Sequence, residues 1–287
     1  MTTFTIGGLT AEDGEMDRSR GRIYFSDLGD WYSGAESKTD INERAQGDGA
    51  HGIDVDLRGS AAFTFTGWYE GDTWADVLTM MDRFKQATIT RRTIPVSVED
   101  ELGVTSRIVS VRAAPLREDK LARAFDFAID MHALDPLRYG PAVSVSTGLP
   151  TAGGGITFPI TYPISYGTPG DPGRVTVSNP GTAPTYSILE ITGGMSGGFE
   201  LTEVTTGRTL RFERPIPDGS TIYLNPRTGM VSMDGPSDVS RYLSRSEFWS
   251  VPAAVGDVPG MREIQFNSLG IVTGTPTLKA ITAPAFW

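Results

Sequence analysis

A chain of 287 residues can bury its own core without a disulfide or metal staple, and having no cysteine it excludes thiolate zinc sites, iron–sulfur clusters and a cysteine nucleophile. Its 35 acidic residues outnumber 25 basic ones, and the net charge of −10 has the wrong sign for gripping a nucleic-acid backbone. Only four of the 25 basic residues are lysine; the rest are arginine, whose planar fork suits fixed interfaces more than diffuse attraction.

The opening MTTFTIGGLTAEDGE is neither basic nor continuously apolar, and no run of eighteen apolar residues follows, so the expectation is a soluble protein made in a cytoplasm, with no signal peptide or membrane span. The stretch DRSRGR, with Arg18, Arg20 and Arg22, is flanked by acids and reads as an arm or a donor of salt bridges between subunits. Trp31 and Tyr32 in GDWYSG are candidate interface aromatics, suited to packing on a neighbour or stacking on a sugar. His51 sits in the glycine-flanked loop GDGAHGID, at a turn or an interface. Asp54 and Asp56 share one face of IDVDLRG and read as a solvent-facing strand edge rather than a catalytic pair.

Strands are expected at Ala61–Thr66, Ile94–Val98, Arg107–Val111 and Arg123–Met131. The last alternates cleanly, with Phe125, Phe127, Ile129 and Met131 on one face. The one persuasive helix is DTWADVLTMMDRFKQA, capped by Asp72, with Trp74, Val77, Leu78, Met81 and Phe84 forming its apolar stripe. His132 extends the last strand in a structural role. The first half is therefore expected to be α+β, with a mainly antiparallel sheet and one main helix.

The composition then changes. Residues 1–140 hold 40 charged residues and three prolines, whereas residues 141–287 hold 20 charged residues and sixteen prolines. A boundary is placed at Gly140–Pro141, followed by an extended Pro/Gly-rich connection over residues 141–173. Beyond it RVTVSN, YSILEIT, GFELTEV, TLRFER, STIYLN, MVSMD and REIQFN follow one another between Gly- and Pro-containing turns, the pattern of an all-β sandwich over residues 174–287.

Two histidines cannot form a three-histidine metal site, and no serine sits in a G-x-S-x-G elbow. Gly153–Gly155 and the GGMSGG segment lack the lysine and serine of a phosphate loop and precede no helix. No catalytic residue, cofactor or metal is expected.

DLGDWYSGAESKTDINERAQGDGAHG resembles the N-terminal segment of distal tail proteins (minor tail proteins) of long-tailed, non-contractile bacteriophages, in which an aromatic-Gly stretch precedes an Arg and a small-residue loop ending in His-Gly. Arg44 and Ala50-His51-Gly52 fit that order, while Gly47-Asp48-Gly49 departs from the commoner Pro-Gly. ALDPLRYG is similar to the run closing that family's N-terminal domain, NPGTAPTYSILEITG to the start of its galectin-like sandwich, and APAFW to its aromatic terminus. The resemblance implies a structural virion protein at the tail tip, synthesised in the bacterial host. Residues 1–140 would form a hexameric ring joining the tail tube to the tail hub and receptor-binding proteins, with DNA only passing through its lumen. Trp31, Tyr32, Arg44 and His51 are the candidate interface residues. The alternative is a carbohydrate-binding module of a tail adhesion device that recognises cell-wall glycan; a third reading, a glycan hydrolase, needs two facing carboxylates that no spacing selects.

Overall fold

The computed structural model describes residues 2–13, 20–39, 43–48, 57–89, 92–154 and 169–287. They divide into two compact units. The first comprises residues 1–140 together with Phe286 and Trp287, and the second Pro141–Ala285. In chain order the second unit is thus inserted into the first.

The first unit corrects the α+β expectation. Strands β1 (Thr3–Ile6), β2 (Leu9–Asp13), β3 (Ile23–Asp27) and β4 (Ala61–Glu70) precede helix α1 (Trp74–Thr88). They are followed by β5 (Ile94–Asp100), β6 (Gly103–Ala113), β7 (Leu116–Asp119), β8 (Ala124–Ala133) and β9 (Arg138–Tyr139). Around the ring the order is β6, β5, β1, β2, β3, β4, β8, and β8 pairs back to β6, closing a seven-strand barrel. Of the described residues 51% are strand and 8% helix, so the fold is mostly β rather than α+β followed by a galectin-like sandwich. Seven strands cannot close with every neighbour antiparallel, because the direction would have to reverse an odd number of times around the ring. The mismatch is resolved at one place: β2 and β3 run parallel, with Ala11 beside Ile23 and Asp13 beside Phe25, while the six other pairs are antiparallel.

Alternation along the strands fills the barrel. Phe4 and Ile6, Leu9 and Ala11, Phe63 and Phe65, Val96 and Val98, and Phe127 and Ile129 all belong to one buried cluster. The rings of Phe4 and Phe65 stack 3.6 Å apart, and Phe25 and Phe127 lie 5.6 and 5.8 Å from Phe65. Between Phe4, Ile6, Phe65, Phe84 and their neighbours the remaining void is about 10 Å³, so the interior is a packed core with no room for a ligand.

Helix α1 begins one residue later than its sequence signal. Thr73, not Asp72, is the N-cap: its hydroxyl accepts from the Asp76 N–H at 3.2 Å, and the Asp76 carboxylate accepts from the Thr73 N–H at 2.9 Å. Of the expected stripe, Val77 and Phe84 are buried, and Trp74 and Met81 pack partly against the core. Leu78 faces solvent; the helix turns Ala87 inward in its place, where the turn at Gly7 approaches it closely.

Gly67 marks the tightest point of the barrel wall. It sits opposite Phe25 beside a bulge in β3, and a Cβ there would lie 2.2 Å from the Tyr24 carbonyl oxygen and 2.6 Å from Cζ of Phe127. Gly67→Ala is expected to destabilise the first unit by about 1–3 kcal/mol, because neither backbone nor ring can retreat within a filled barrel. A thermal melt unchanged from the parent would contradict this account of the wall.

The second unit consists of two antiparallel sheets that share one core. The six-stranded sheet runs, in spatial order, Val143–Gly148, Thr277–Thr282, Ile188–Thr192, Thr221–Asn225, Met230–Met233 and Ser237–Asp238. The five-stranded sheet runs Arg174–Asn179, Gly260–Leu269, Gly198–Glu203, Thr209–Phe212 and Leu243–Ser246. Leu189, Ile191, Ile222 and Leu224 from the first meet Val177, Phe199, Leu201, Phe212 and Phe266 from the second in the shared cluster. Residues 143–148, expected within the extended connection, instead pair in full register with Thr277–Thr282. The Asn-Pro-Gly turn is held by a buried Asn179. Its amide nitrogen donates to the carbonyls of Ala183 and Pro252, at 2.8 and 2.9 Å, and its amide oxygen accepts from the N–H groups of Gly181 and Ala285. Among the described residues no helix is long and apolar enough to cross a membrane.

Candidate functional site

The two adjacent aromatics of GDWYSG part company. A single 3-10 turn, Gly29–Trp31, follows β3, and Gly29 takes a positive φ of 56° where a side chain would strike the Thr64 carbonyl. This turn drives Trp31 into the core, where it is 0% exposed, and leaves Tyr32 47% exposed. Trp31 meets Phe63 edge-on at 5.4 Å, and its ring N–H donates to Thr105 Oγ1 at 3.3 Å. As an interface candidate Trp31 is therefore corrected: a wholly buried ring presents nothing to a partner, and it acts instead as the anchor of the loop.

Above that anchor lies Arg107, only 2% exposed, with its guanidinium 5.0 Å from the Trp31 ring and 5.5 Å from Phe63. Its Nη2 donates to the Pro136 carbonyl at 3.0 Å, while Nε and Nη1 have no hydrogen-bond partner among the described residues. Burial, and after it the charge of Arg138, push the Arg107 guanidinium down to about 10, against a smaller opposing pull from Asp135.

Tyr32 stands at the surface of the same cluster. Its hydroxyl donates to Asp100 Oδ2 at 2.7 Å, and the Arg138 guanidinium lies 5.0 Å from its ring. Partial burial, then the hydrogen bond to Asp100, push the Tyr32 phenol up to about 12. Burial likewise lowers Arg138, opposed by Tyr32 and Asp100.

Arg44 is exposed. His51 lies outside the described residues, as do Asp54, Asp56 and Arg18. His132 sits in β8 opposite Ala62, its Nε2 2.9 Å from Ser60 Oγ. A surface hollow of about 610 Å³ is lined by loop residues including Asp30, Ser33, Glu36 and Lys38 with Gly59 and Ser60. Among the described residues no group of three His, Cys, Asp or Glu side chains could hold a metal ion.

Sequence reasoning passed over Arg107, Arg138 and Asp100, because each owes its role to neighbours distant in the chain. In the second unit Tyr223 is exposed on the six-stranded sheet, and Tyr186 is exposed in the segment that precedes the strand Ile188–Thr192. Two polar groups near Tyr223 are already engaged: Glu190, directly across from it, pairs with Lys279 at 3.1 Å, and Asn225 Oδ1 accepts from the Arg227 N–H. A sugar would have to displace those bonds, which weighs against the glycan alternative.

No protein-family model and none of the curated proteins matches the chain. Solved structures do. The Dit protein of phage SPP1, described as a paradigm of the hub adsorption apparatus in phages that infect Gram-positive bacteria, is 12% identical with a TM-score of 0.63, and the alignment covers 100% of both chains. Chains from the phage P2 baseplate in its activated conformation, with calcium and with strontium, are 11% and 12% identical, each with a TM-score of 0.51 over 98% of both chains. The chain shares its fold with these phage hub and baseplate proteins.

Proposed function

We propose that the protein is a structural component of a phage tail tip, in which the first unit of six copies forms a ring that joins the tail tube to the hub and receptor-binding proteins. The observation that carries this reading is the match to the SPP1 Dit fold along the entire length of both chains, insertion included. Three features of the molecule support it. The barrel is filled, so its worth lies in its outer surfaces rather than in an interior pocket. The negative net charge lets a ring lumen pass DNA without holding it, since like charges repel. The buried polar clusters are used for architecture, as at Asn179 and Trp31, and the proposed role requires no catalytic turnover. Tyr32 and Arg44, being exposed, are the interface candidates kept in this proposal, with His51.

Mass photometry is the direct test. Particles of six times the 30.9 kDa chain are expected in solution or on extraction from the virion. Monomers alone at high concentration, together with a virion map that lacks a ring of this fold, would overturn the proposal.

A further inference from the structure

Phe286 and Trp287 follow the second unit in sequence but belong to the first. Phe286, in a two-residue strand, lies along the outer edge of β9. From β9 the Arg138 guanidinium is placed 5.9 Å from the Phe286 ring and 5.0 Å from the Tyr32 ring, with both aromatic faces within reach of one planar cation. Its Nη2 donates to the Trp287 carbonyl oxygen at 2.7 Å. Trp287 in turn lines a hollow of about 340 Å³ with Gly34, Ala35 and Arg58. The walls of that hollow have their own bonds: Arg58 Nη1 donates to the Ala35 carbonyl at 3.3 Å, and the Gly59 N–H to the Glu36 carbonyl at 2.8 Å.

We propose that Tyr32, Arg138 and the rim formed by Gly34, Ala35 and Arg58 make a peptide-binding site in the first unit, whose ligand is an aromatic pair on an extended chain, occupied here by the protein's own Phe286 beside Arg138 and Trp287 at the edge of the hollow. The mode is strand addition at a sheet edge: the main chain supplies direction, and the two rings supply specificity. Without the ligand, Arg138 loses the acceptor for Nη2 while its Nε already has no partner among the described residues, and a half-buried cation is left under-bonded. Asp100 fixes Tyr32 through its hydroxyl, so the ring facing Arg138 is held ready before the ligand arrives. The consequence is directional. The first unit is finished only by residues made after the whole of the second, and residues 1–140 by themselves carry an empty site.

The proposal is independent of any ring, and its test does not involve one. A chain ending at Ala285 is compared with the full chain by amide hydrogen exchange, and the peptide TAPAFW (residues 282–287) is titrated into each by calorimetry. In the shortened chain, exchange at Arg138, Tyr139 and the facing Ser106 region of β6 should rise by about tenfold or more. Micromolar-to-millimolar peptide should bind that chain and restore protection, while the full chain, its site occupied, should bind none. Unchanged protection after shortening, or no peptide binding to the shortened chain, overturns the proposal. Should the shortened chain fail to fold, Arg138→Met in the full chain decides instead. Exchange at Phe286 and Trp287 should then rise while the strand Arg174–Asn179 keeps its protection, and unchanged exchange at Phe286 and Trp287 overturns the assignment.

Discussion

Phe65→Ala is expected to cost the first unit about 3–5 kcal/mol, a large part of what holds a small domain together. Phe65 is 1% exposed and sits where three aromatic contacts converge: Phe4 stacked on one face, with Phe25 and Phe127 near. Truncation removes its buried apolar surface and also leaves a cavity. The barrel cannot collapse around that gap, because every strand is pinned on both sides by ladder bonds. An open sheet could relax by shifting one edge; a closed ring has no edge to move. Urea unfolding of the first unit should show the loss as a lowered midpoint with little change in slope. Phe65→Leu, which keeps more of the volume, should cost less than half as much. If the alanine variant lost under about 1 kcal/mol, the packed-barrel description would fail.

Glu203→Gln is expected to cost the second unit about 2–4 kcal/mol, although the two side chains are nearly the same size. Glu203 is 0% exposed. Its Oε1 accepts from the Thr205 N–H at 3.0 Å, and its Oε2 from the Thr206 N–H at 2.8 Å and from the Thr206 hydroxyl. Arg262 stands 4.0 Å away. The carboxylate thereby closes the turn from Glu203 to Arg208, whose main chain is paired at 2.9 Å. Glutamine turns one of the two acceptors into a donor facing donors. Burial pushes the Glu203 carboxyl up, but the hydrogen bonds from Thr206 and Thr205 outweigh it and hold the group below the ordinary carboxylate range.

A carboxyl depressed on folding contributes stability that is complete above its unfolded value and disappears as the pH falls through its folded value. The parent should therefore lose part of the second unit's stability on acidification through and below the ordinary carboxylate range, and Glu203→Gln should lack that part of the slope. Denaturant midpoints for both proteins across that range are the measurement. Parallel pH profiles would show that the turn is not held by the charge.

What local pattern alone determines, the sequence determined here. The β8 strand and the helix are set by periodicities of two and about 3.6, and both stand where Phe125–Met131 and Val77–Phe84 placed them, with the cap shifted by one residue because Thr73 and Asp76 can bond reciprocally. In the second half RVTVSN, ILEIT and TIYLN likewise appear as strands, since each alternates and ends at a turn residue. The tertiary structure decided the rest. Strands β1 to β3 are four or five residues long, and their place depends on partners up to 96 residues away, as in Thr3 beside Glu99. Closure of the barrel rests on the β6–β8 pair and on one parallel neighbour, neither of which leaves a trace in any single segment. Val143–Gly148 reads as linker because it opens a stretch rich in Pro, Gly, Ser and Thr, and its pairing with Thr277–Thr282 makes it a strand. The same holds at the candidate site. Trp31 and Tyr32 announce themselves in sequence, but which is anchor and which is surface was settled by one 3-10 turn and by Phe63, Thr105 and Asp100. Periodicity is a property of neighbours along the chain, whereas pairing and burial are properties of neighbours in space. The second kind is fixed only when distant segments compete for the same partners in the folded molecule.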